Sequence, residues 1–389
     1  MGRRGNGEGS IYKRNDGRWC GAYYDKDYNR CYVYGKTQTE VRKKLKEKQA
    51  APVVKGKPYL LQEWVKEFLD KYKKNEIKIT TYNSYMVYFR KHIMDSTIGK
   101  KQLDKVKSAD LQEYYNKKID EGYSSKTVHH ISIILNSAFE MAFRLRMISE
   151  NPNRFTMIPK KEKYEAKTLS IEEVERIVRE AKEERLYPIF VTTVYTGMRK
   201  GEVMALKWEN IDFVGRKILV KNSLCRVESD VPDEKGRYIS HYEIMEPKTK
   251  KSIRTIPMLD QVYDALMEQQ QRQMLDKDKI GENYLDQGFV FADEIGQHLQ
   301  QRDFMKEYRQ FLNKYDVRYV RFHDLRHTFA TLLIESDVSM KLVQELLGHS
   351  TITTSMDIYA HVSEKKKEQV INKLQERTKN LCSNNDKKE

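Results

Sequence analysis

Four short motifs in the second half of this 389-residue sequence carry side chains that could transfer a phosphoryl group. Each motif alone is common in unrelated proteins. Together they supply two arginines, a lysine, two histidines and a late tyrosine, an inventory that suits phosphoryl transfer without a metal. In chain order they are TGMRKGE at 196–202, which contains Arg199; Lys248 with Thr249; HDLR, which runs from His323 to Arg326; and LGHS at 347–350, followed ten residues after His349 by Tyr359.

The two arginines suit the stabilisation of a phosphodiester under attack. Negative charge accumulates on the non-bridging oxygens as a nucleophile approaches, and preorganised cationic donors stabilise that charge. A planar guanidinium offers two parallel donors to two oxygens at once, which favours Arg199 and Arg326 in this role. His349 could add a further donor.

Tyr359 is the candidate nucleophile. Its ordinary pKa near 10 leaves about 0.1% phenolate at pH 7, a deficit of roughly 4 kcal/mol, so a base must accept its proton. His323 is the candidate base, and Lys248, placed in a hairpin before a strand at 252–257, could protonate the leaving 5′ oxygen. A covalent phosphotyrosine would store the energy of the broken bond, which fits a sequence with no GxxxxGK[ST] motif. We therefore expect no cofactor.

A zinc site is the alternative interpretation of the histidines. His323 and His327 have the H-x-x-x-H spacing of a helical zinc site, which His349 and His361 could complete. The charged Arg326 inside the motif would repel a dication, however. The pattern therefore favours local packing or hydrogen bonding of His327.

The net charge of +15 and the pI near 9.3 indicate a polyanionic partner. The excess is unevenly distributed. Residues 1–55 carry 14 basic and 6 acidic side chains, residues 56–165 carry 21 and 14, and residues 166–389 carry 37 of each. Affinity for a phosphate backbone should therefore concentrate in the first 165 residues, although a basic surface kept for solubility is the simpler reading of charge alone.

The cysteines and the hydropathy of the sequence indicate the cellular compartment of the protein. The four cysteines (Cys20, Cys31, Cys225, Cys382) have no metal-binding spacing. No secretory signal and no apolar run approaching about 20 residues is visible. The sequence therefore predicts a soluble, reduced protein with no membrane partner, located in a bacterial cytoplasm at the nucleoid.

The length and the periodicity of the chain predict a multidomain α+β protein. Residues 1–55 should form a three-stranded β-sheet with one helix, because alternating strands flank the turn sequence Asn15-Asp16-Gly17 and a capping box at 37–40 opens a helix. Four basic side chains suit a sheet that lies in a DNA groove, although a plain cap with solvated charges is the simpler alternative. They are Arg14, Arg18, Lys26 and Arg30.

Residues 56–165 should form a four-helix bundle followed by a charged linker. Apolar residues recur at helical spacing from Leu60, from about Thr80, from Ser108 and from Ser124 or Ser125. The aromatic stripe on these helices is predicted to be core rather than a base-stacking platform. A second linker is expected at 50–58.

Residues 166–389 are predicted to be mostly helical with a small antiparallel sheet, ending in a C-terminal tail. The expected strands lie at 217–220, 238–245 and 252–256, and helices should dominate after Asp303. All the candidate catalytic side chains lie in this segment.

The ordered set of six residues resembles the tyrosine recombinase, or phage integrase, family, and the string HDLRHTFAT…LLGH…Y is highly specific to it. The likeness is nearest to the integrases of conjugative transposons. It implies an arm-type DNA-binding domain at 1–55, a core-binding domain at 56–165 and a catalytic domain at 166–389. The set is Arg199, Lys248, His323, Arg326, His349 and the nucleophile Tyr359.

The resemblance also implies partners and a mechanism. These are a clamp on double-stranded DNA with core-type and arm-type sites, a homo-tetramer, a Holliday junction, and a 3′-phosphotyrosyl link with a free 5′ hydroxyl. An excisionase and a host DNA-bending protein are candidate accessory partners. The family lysine is often followed by Thr or Gly, which favours Lys248 before Thr249, while the distance to Pro257 keeps Lys250 open.

Two further functions remain alternatives. A type IB-like topoisomerase would relax DNA without partner strands, but relaxation needs no separate arm module. A catalytically silent DNA-binding regulator would not need the complete set of six polar residues. The sequence therefore favours an integrase that moves a mobile element into and out of DNA.

Overall fold

The computed structural model divides into two compact units, Met1–Lys163 and Tyr164–Glu389. The residues described are 11–24, 30–49, 59–160, 167–229, 231–246 and 252–348.

A three-stranded antiparallel sheet opens the first unit, as the sequence predicts. Its order is β1-β2-β3, with Tyr12 opposite Cys20 and Cys20 opposite Tyr34. A helix follows, and Thr37 Oγ1 accepts a hydrogen bond from Glu40 N at 3.1 Å, as expected of the predicted cap. The elements are β1 (Ile11–Lys13), β2 (Trp19–Tyr24), β3 (Arg30–Gly35) and α1 (Gln38–Gln49).

The helical bundle that follows has its own core. Its aromatic stripe is interior, as predicted: Trp64, Phe68 and Phe89 are buried, and Trp64 Nε1 donates to the carbonyl of Ala138 at 2.9 Å. The second helix begins at Ile79, one residue before the expected Thr80, and α2 and α3 each continue into a π-helical turn. The helices are α2 (Leu61–Phe68), α3 (Ile79–Tyr88), α4 (Ser108–Asp120) and α5 (Ser125–Arg144).

Seven α-helices lie among the described residues of the second unit. The central one, α7, is apolar around most of its circumference and is almost wholly buried, with α9 and α11 packed against it. No described helix of the chain is both long and apolar enough to span a bilayer. The helices are α6 (Ile171–Glu180), α7 (Tyr187–Thr196), α8 (Lys200–Met204), α9 (Asp260–Ile280), α10 (Gln301–Lys314), α11 (Leu325–Glu335) and α12 (Met340–Leu347).

The second unit contains two small antiparallel sheets in its described part, of order β4-β5-β8 and β6-β7. The predicted strand at 217–220 is confirmed, whereas β7 begins two residues later than expected. The sequence did not indicate β6, because its two buried apolar residues, Leu224 and Val227, are three positions apart and do not follow the alternation of a strand. The strands are β4 (Ile211–Asp212), β5 (Lys217–Val220), β6 (Ser223–Glu228), β7 (Ser240–Met245) and β8 (Arg254–Pro257).

Candidate active site

Arg199 occupies the turn between α7 and α8. Gly197 ends α7 in the left-handed region with φ 59°, and Arg199 is the residue immediately before α8. A Cβ on Gly197 would lie 2.5 Å from Phe329 and 2.7 Å from Leu347. The site therefore requires glycine here both for the backbone conformation and for close packing.

Glu202 fixes the Arg199 side chain. Its carboxylate accepts from the Arg199 backbone N–H at 2.9 Å and from Arg199 Nη1 at 2.6 Å. Glu202 is 5% exposed. Burial alone would raise the pKa of this carboxyl, but hydrogen bonds and charge from Arg254 and the charge of Arg199 outweigh burial and lower it. The carboxylate is therefore ionised at neutral pH.

Arg254 is a component of this site that our reading of the sequence missed. It opens β8, where it shares the buried face with Ile256. Its guanidinium donates to Glu202 from Nη2 at 2.8 Å and from Nη1 at 3.2 Å. The available signal was an arginine at an inward position of an alternating strand, where an apolar residue is the rule.

His323 and Arg326 are separated by a change of helix type. His323 lies in a 3-10 turn, Phe322–Asp324, and Arg326 lies in the first turn of α11. The two side chains therefore lie on either side of the junction between the 3-10 turn and α11. His323 keeps an exposed surface, whereas Arg326 is 2% exposed.

Arg326 connects α11 with the turn that carries Arg199. Its Nη1 donates to the carbonyl of Gly197 at 2.7 Å. Burial, and then the charge of Arg199, lower its pKa from the ordinary value. An arginine pKa starts so high that the guanidinium stays charged at neutral pH. One buried carboxylate, Glu202, therefore faces three guanidinium groups, and the excess positive charge suits an incoming phosphate.

The C-terminal end of α12 is the point where the three arginines meet. Gly348 caps this helix in the left-handed region with φ 63°. Carbonyls at a helix C-terminus lack intrahelical donors and carry partial negative charge, so they attract cations. Three successive carbonyls each accept from a different arginine: Leu346 O from Arg254 Nε at 2.7 Å, Leu347 O from Arg326 Nη2 at 2.5 Å and Gly348 O from Arg199 Nη2 at 3.0 Å.

His323 and His327 lie near each other, with ring centroids 5.9 Å apart. Burial is the largest cause that lowers the pKa of His323, followed by the charges of His327 and Arg326. A lowered pKa keeps the imidazole neutral at pH 7, the form that accepts a proton. Among the described residues, no three His, Cys, Asp or Glu side chains lie together as metal ligands.

Five residues of the predicted site or its alternatives lie outside the described residues. Their roles stay predictions. They are Lys248, Lys250, His349, Tyr359 and His361.

The outer face of the N-terminal sheet combines tyrosines and arginines. Arg14 lies over the ring of Tyr34 and Arg30 over the ring of Tyr32, at 5.4 and 5.7 Å from the ring centroids. Both tyrosines are exposed. The opposite face packs on α1. The face is therefore one on which cations and aromatic rings are both available to a nucleic acid.

Asp16 compensates part of the charge of two arginines of this sheet. Arg18 donates to its carboxylate from Nη2 at 2.8 Å and from Nε at 3.1 Å, and Arg14 Nε lies 3.6 Å from the same carboxylate. The fourth predicted DNA-binding residue, Lys26, lies outside the described residues.

Family models match both parts of the chain. Residues 167–366 match the phage integrase family, and residues 60–119 match the N-terminal SAM-like domain of phage integrases. A tyrosine recombinase XerC-like protein of Caldanaerobacter subterraneus subsp. tengcongensis is 36% identical over 76% of this chain and 78% of its own. The transposase from transposon Tn916 of Enterococcus faecalis is 26% identical over 70% and 69%.

Solved structures show the same fold. The Tn1549 transposon integrase in complex with a circular intermediate DNA matches with a TM-score of 0.65 at 23% identity, over 80% of this chain and 99% of that one. A lambda integrase tetramer bound to a Holliday junction matches with a TM-score of 0.54 at 20% identity, over 92% and 96%. The family match, the sequence relatives and the ordered motifs agree, and the chain belongs to the phage integrase family, as a tyrosine-type site-specific DNA recombinase.

Proposed function

We propose that Tyr359 is the nucleophile of this recombinase and that the six residues of the motif set divide the chemistry among them. Arg199, Arg326 and His349 would stabilise the charge on the non-bridging oxygens. His323 would accept the tyrosine proton. Lys248 would protonate the leaving oxygen.

The proposed step balances without an external reagent. The Tyr359 oxygen attacks phosphorus while its proton passes to His323, the bond from phosphorus to the 5′ oxygen breaks, and Lys248 gives that oxygen a proton. The products are a 3′-phosphotyrosyl link and a free 5′ hydroxyl. Attack by a 5′ hydroxyl of a partner strand reverses the step and completes strand transfer, so neither a metal nor ATP is needed.

The observation that carries this proposal is the meeting of the arginines at the end of α12. Arg199 and Arg326 come from motifs far apart in sequence, yet Gly197 O and the end of α12 join them. The next residue after Gly348 is His349, and Tyr359 follows it closely in the chain. In sequence, the segment that follows the arginine cluster therefore carries both His349 and the proposed nucleophile.

We also propose how the parts divide the binding of DNA. Residues 1–55 would bind arm-type sites through the face that carries Arg14 and Arg30, residues 56–165 would bind the core site, and residues 166–389 would cut it. A homo-tetramer would act through a Holliday junction, in the bacterial cytoplasm at the nucleoid. The names of its relatives, which include transposon and prophage proteins, support integration and excision of a mobile element, with an excisionase and a host DNA-bending protein as accessory partners.

A suicide substrate with a nick beside the cleavage site tests the central proposal. Cleavage releases the short fragment, so religation fails and the covalent adduct accumulates. Wild-type protein should give an adduct that mass spectrometry maps to Tyr359, and Tyr359→Phe should give none.

Tyr319→Phe is the matched control. Tyr319 is an exposed tyrosine of the same unit, stacked with Arg309, and its removal should leave adduct formation intact. An adduct that persists in Tyr359→Phe would move the nucleophile to another residue. Binding without any adduct in the wild type would instead make the chain a silent DNA-binding protein.

A further inference from the structure

Arg254 is the one guanidinium of the cluster that the proposed chemistry does not use. Burial does not set it apart, because Arg326 is only 2% exposed. The number of its hydrogen bonds does, since the guanidinium groups of Arg199 and Arg326 each make two with protein oxygens. Four hydrogen bonds to protein oxygens occupy its donors, on Glu202, Leu346 and Ser252. A guanidinium has five N–H donors, so almost none remain for a phosphate.

Two of the three partners of Arg254 lie on the two elements that place Arg199. One partner is Glu202, whose other contacts are the backbone N–H and Nη1 of Arg199. The other is the carbonyl of Leu346, two residues before Gly348, and Gly348 O is the second acceptor of Arg199. Arg254 therefore holds in place both groups that orient the Arg199 guanidinium, the Glu202 carboxylate and the end of α12.

Electrostatics explain why an arginine is needed between these elements. Glu202 is buried, and with Arg199 alone its carboxylate would hold that guanidinium in a one-to-one ion pair. A second cation on the carboxylate weakens the attraction of Glu202 for Arg199 and adds to the positive charge that Arg199 and Arg326 already give the cluster. The planar guanidinium also donates from three nitrogens, to both oxygens of the carboxylate and to a carbonyl, an arrangement that the single nitrogen of a lysine cannot reproduce.

We propose that Arg254 is a positioning residue that sets the orientation and the available charge of Arg199 through Glu202 and the end of α12. This inference rests on the proposed role of Arg199 at the scissile phosphate. In this role Arg254 acts through Arg199 and does not itself contact DNA. It predicts that changes at Arg254 slow cleavage without weakening DNA binding.

The test compares Arg254→Lys with Arg272→Lys. Arg272 lies on α9 and pairs with Glu268 and the carbonyl of Lys182, neither of which belongs to the arginine cluster. Single-turnover cleavage of the suicide substrate and the Kd from gel shifts are measured for both. Arg254→Lys should cleave about 10- to 100-fold more slowly, the loss expected from a small misplacement of a reacting group, with a Kd within about twofold of wild type. Arg272→Lys should match wild type.

A methylphosphonate at the scissile position separates positioning from general loss of structure. Replacing one non-bridging oxygen by methyl removes a negative charge, so the reaction depends less on Arg199. The rates of Arg254→Lys and wild type should therefore converge on this substrate, as should that of Arg199→Lys. A defect of equal size on both substrates would overturn the proposal, as would a wild-type rate for Arg254→Lys on the ordinary phosphodiester.

A second variant covers loss of folding. If circular dichroism shows that Arg254→Lys is unfolded, the double change Glu202→Gln with Arg254→Gln removes both buried charges and leaves neither alone. It should fold, bind DNA and cleave slowly, and a wild-type rate would overturn the proposal. Failure of wild type itself to form an adduct would instead refute the proposed function, so the two failures are distinguishable.

Discussion

Arg326 Nη1 donates to the carbonyl of Gly197 at 2.7 Å, across 129 positions of sequence. This bond joins the HDLR motif to the TGMR motif, because Gly197 lies two residues before Arg199. The second terminal nitrogen of Arg326 donates to Leu347 O at 2.5 Å. The two proposed phosphate-binding arginines are thus fixed to one backbone frame before any DNA arrives.

Arg326→Lys should lose cleavage while it keeps DNA binding. A lysine ammonium is a single point donor and cannot reach both Gly197 O and Leu347 O in the planar arrangement of the guanidinium. Cleavage of the suicide substrate should fall by about 100-fold or more, while the Kd from gel shifts changes little because most of the net charge lies upstream. Arg309→Lys, on the exposed face of α10, is the control. Equal losses of binding and cleavage would count against this role.

Gly197→Ala should cost more stability than a strained backbone alone explains. Gly197 and Gly236 both have positive φ, 59° and 73°, but a Cβ at Gly197 meets Phe329 and Leu347, whereas a Cβ at Gly236 meets nothing within 4 Å. Gly236→Ala should therefore cost only about 1 kcal/mol. Gly197→Ala should add a further 1–3 kcal/mol from overpacking. Urea unfolding of both variants measures the difference, and equal costs would show that the contacts do not matter.

The acid side of the pH profile should report His323. Burial, with the charges of His327, Arg326 and Arg199, places its pKa below the ordinary value, and Asp324 opposes this shift only in part. A base acts when neutral, so single-turnover cleavage should retain more than half of its rate at about pH 6.5 and fall only as the pH drops through this lower pKa.

His323→Gln should remove that acid limb and lower the rate at every pH. His241→Gln, an exposed histidine of β7 paired with Glu243, is the control and should keep the wild-type profile. If the acid limb of the wild type has its midpoint above about pH 6.5, or survives in His323→Gln, another group titrates there.

Deletion of residues 1–55 should leave cleavage of a short core site measurable but cripple recombination of full-length sites. No proposed catalytic residue lies there, while 14 basic side chains do. Within this segment, Arg14→Gln with Arg30→Gln should lower the slope of log affinity against log salt on arm DNA by about 2 if each arginine contacts one phosphate. Normal recombination by the truncated chain would refute the arm-domain assignment.

Arg42→Gln is the matched control for the sheet face. Arg42 is an exposed arginine of α1, on the element that packs against the opposite face of the sheet. Its loss should leave the salt slope unchanged. A slope that falls equally for Arg42→Gln would mean that general charge, and not the face with Arg14 and Arg30, binds the DNA.

Local pattern determined much of this protein. Helical spacing of apolar residues predicted the four helices of the bundle and the buried Trp64 and Phe68. A helix that buries one face has apolar residues at intervals of three and four positions, and this spacing is visible in the sequence. The turn at Asn15-Asp16-Gly17 and the cap at Thr37 marked the N-terminal sheet and α1 in the same way. The ordered polar motifs likewise predicted the family, because the side-chain types that the chemistry requires, and their order, can be recognised in the sequence alone.

The tertiary structure alone decided how the arginines are held. Glu202 and Arg254 meet across 52 positions, and the carbonyls at the end of α12 accept donors from up to 149 positions away. No local period reports such pairs, because they depend on how β8, α8 and α12 close around one another. The burial of Arg254 in a strand could not be predicted from the strand pattern, because its carboxylate and carbonyl partners are distant in sequence. Those partners offset the free-energy cost of burying its charge.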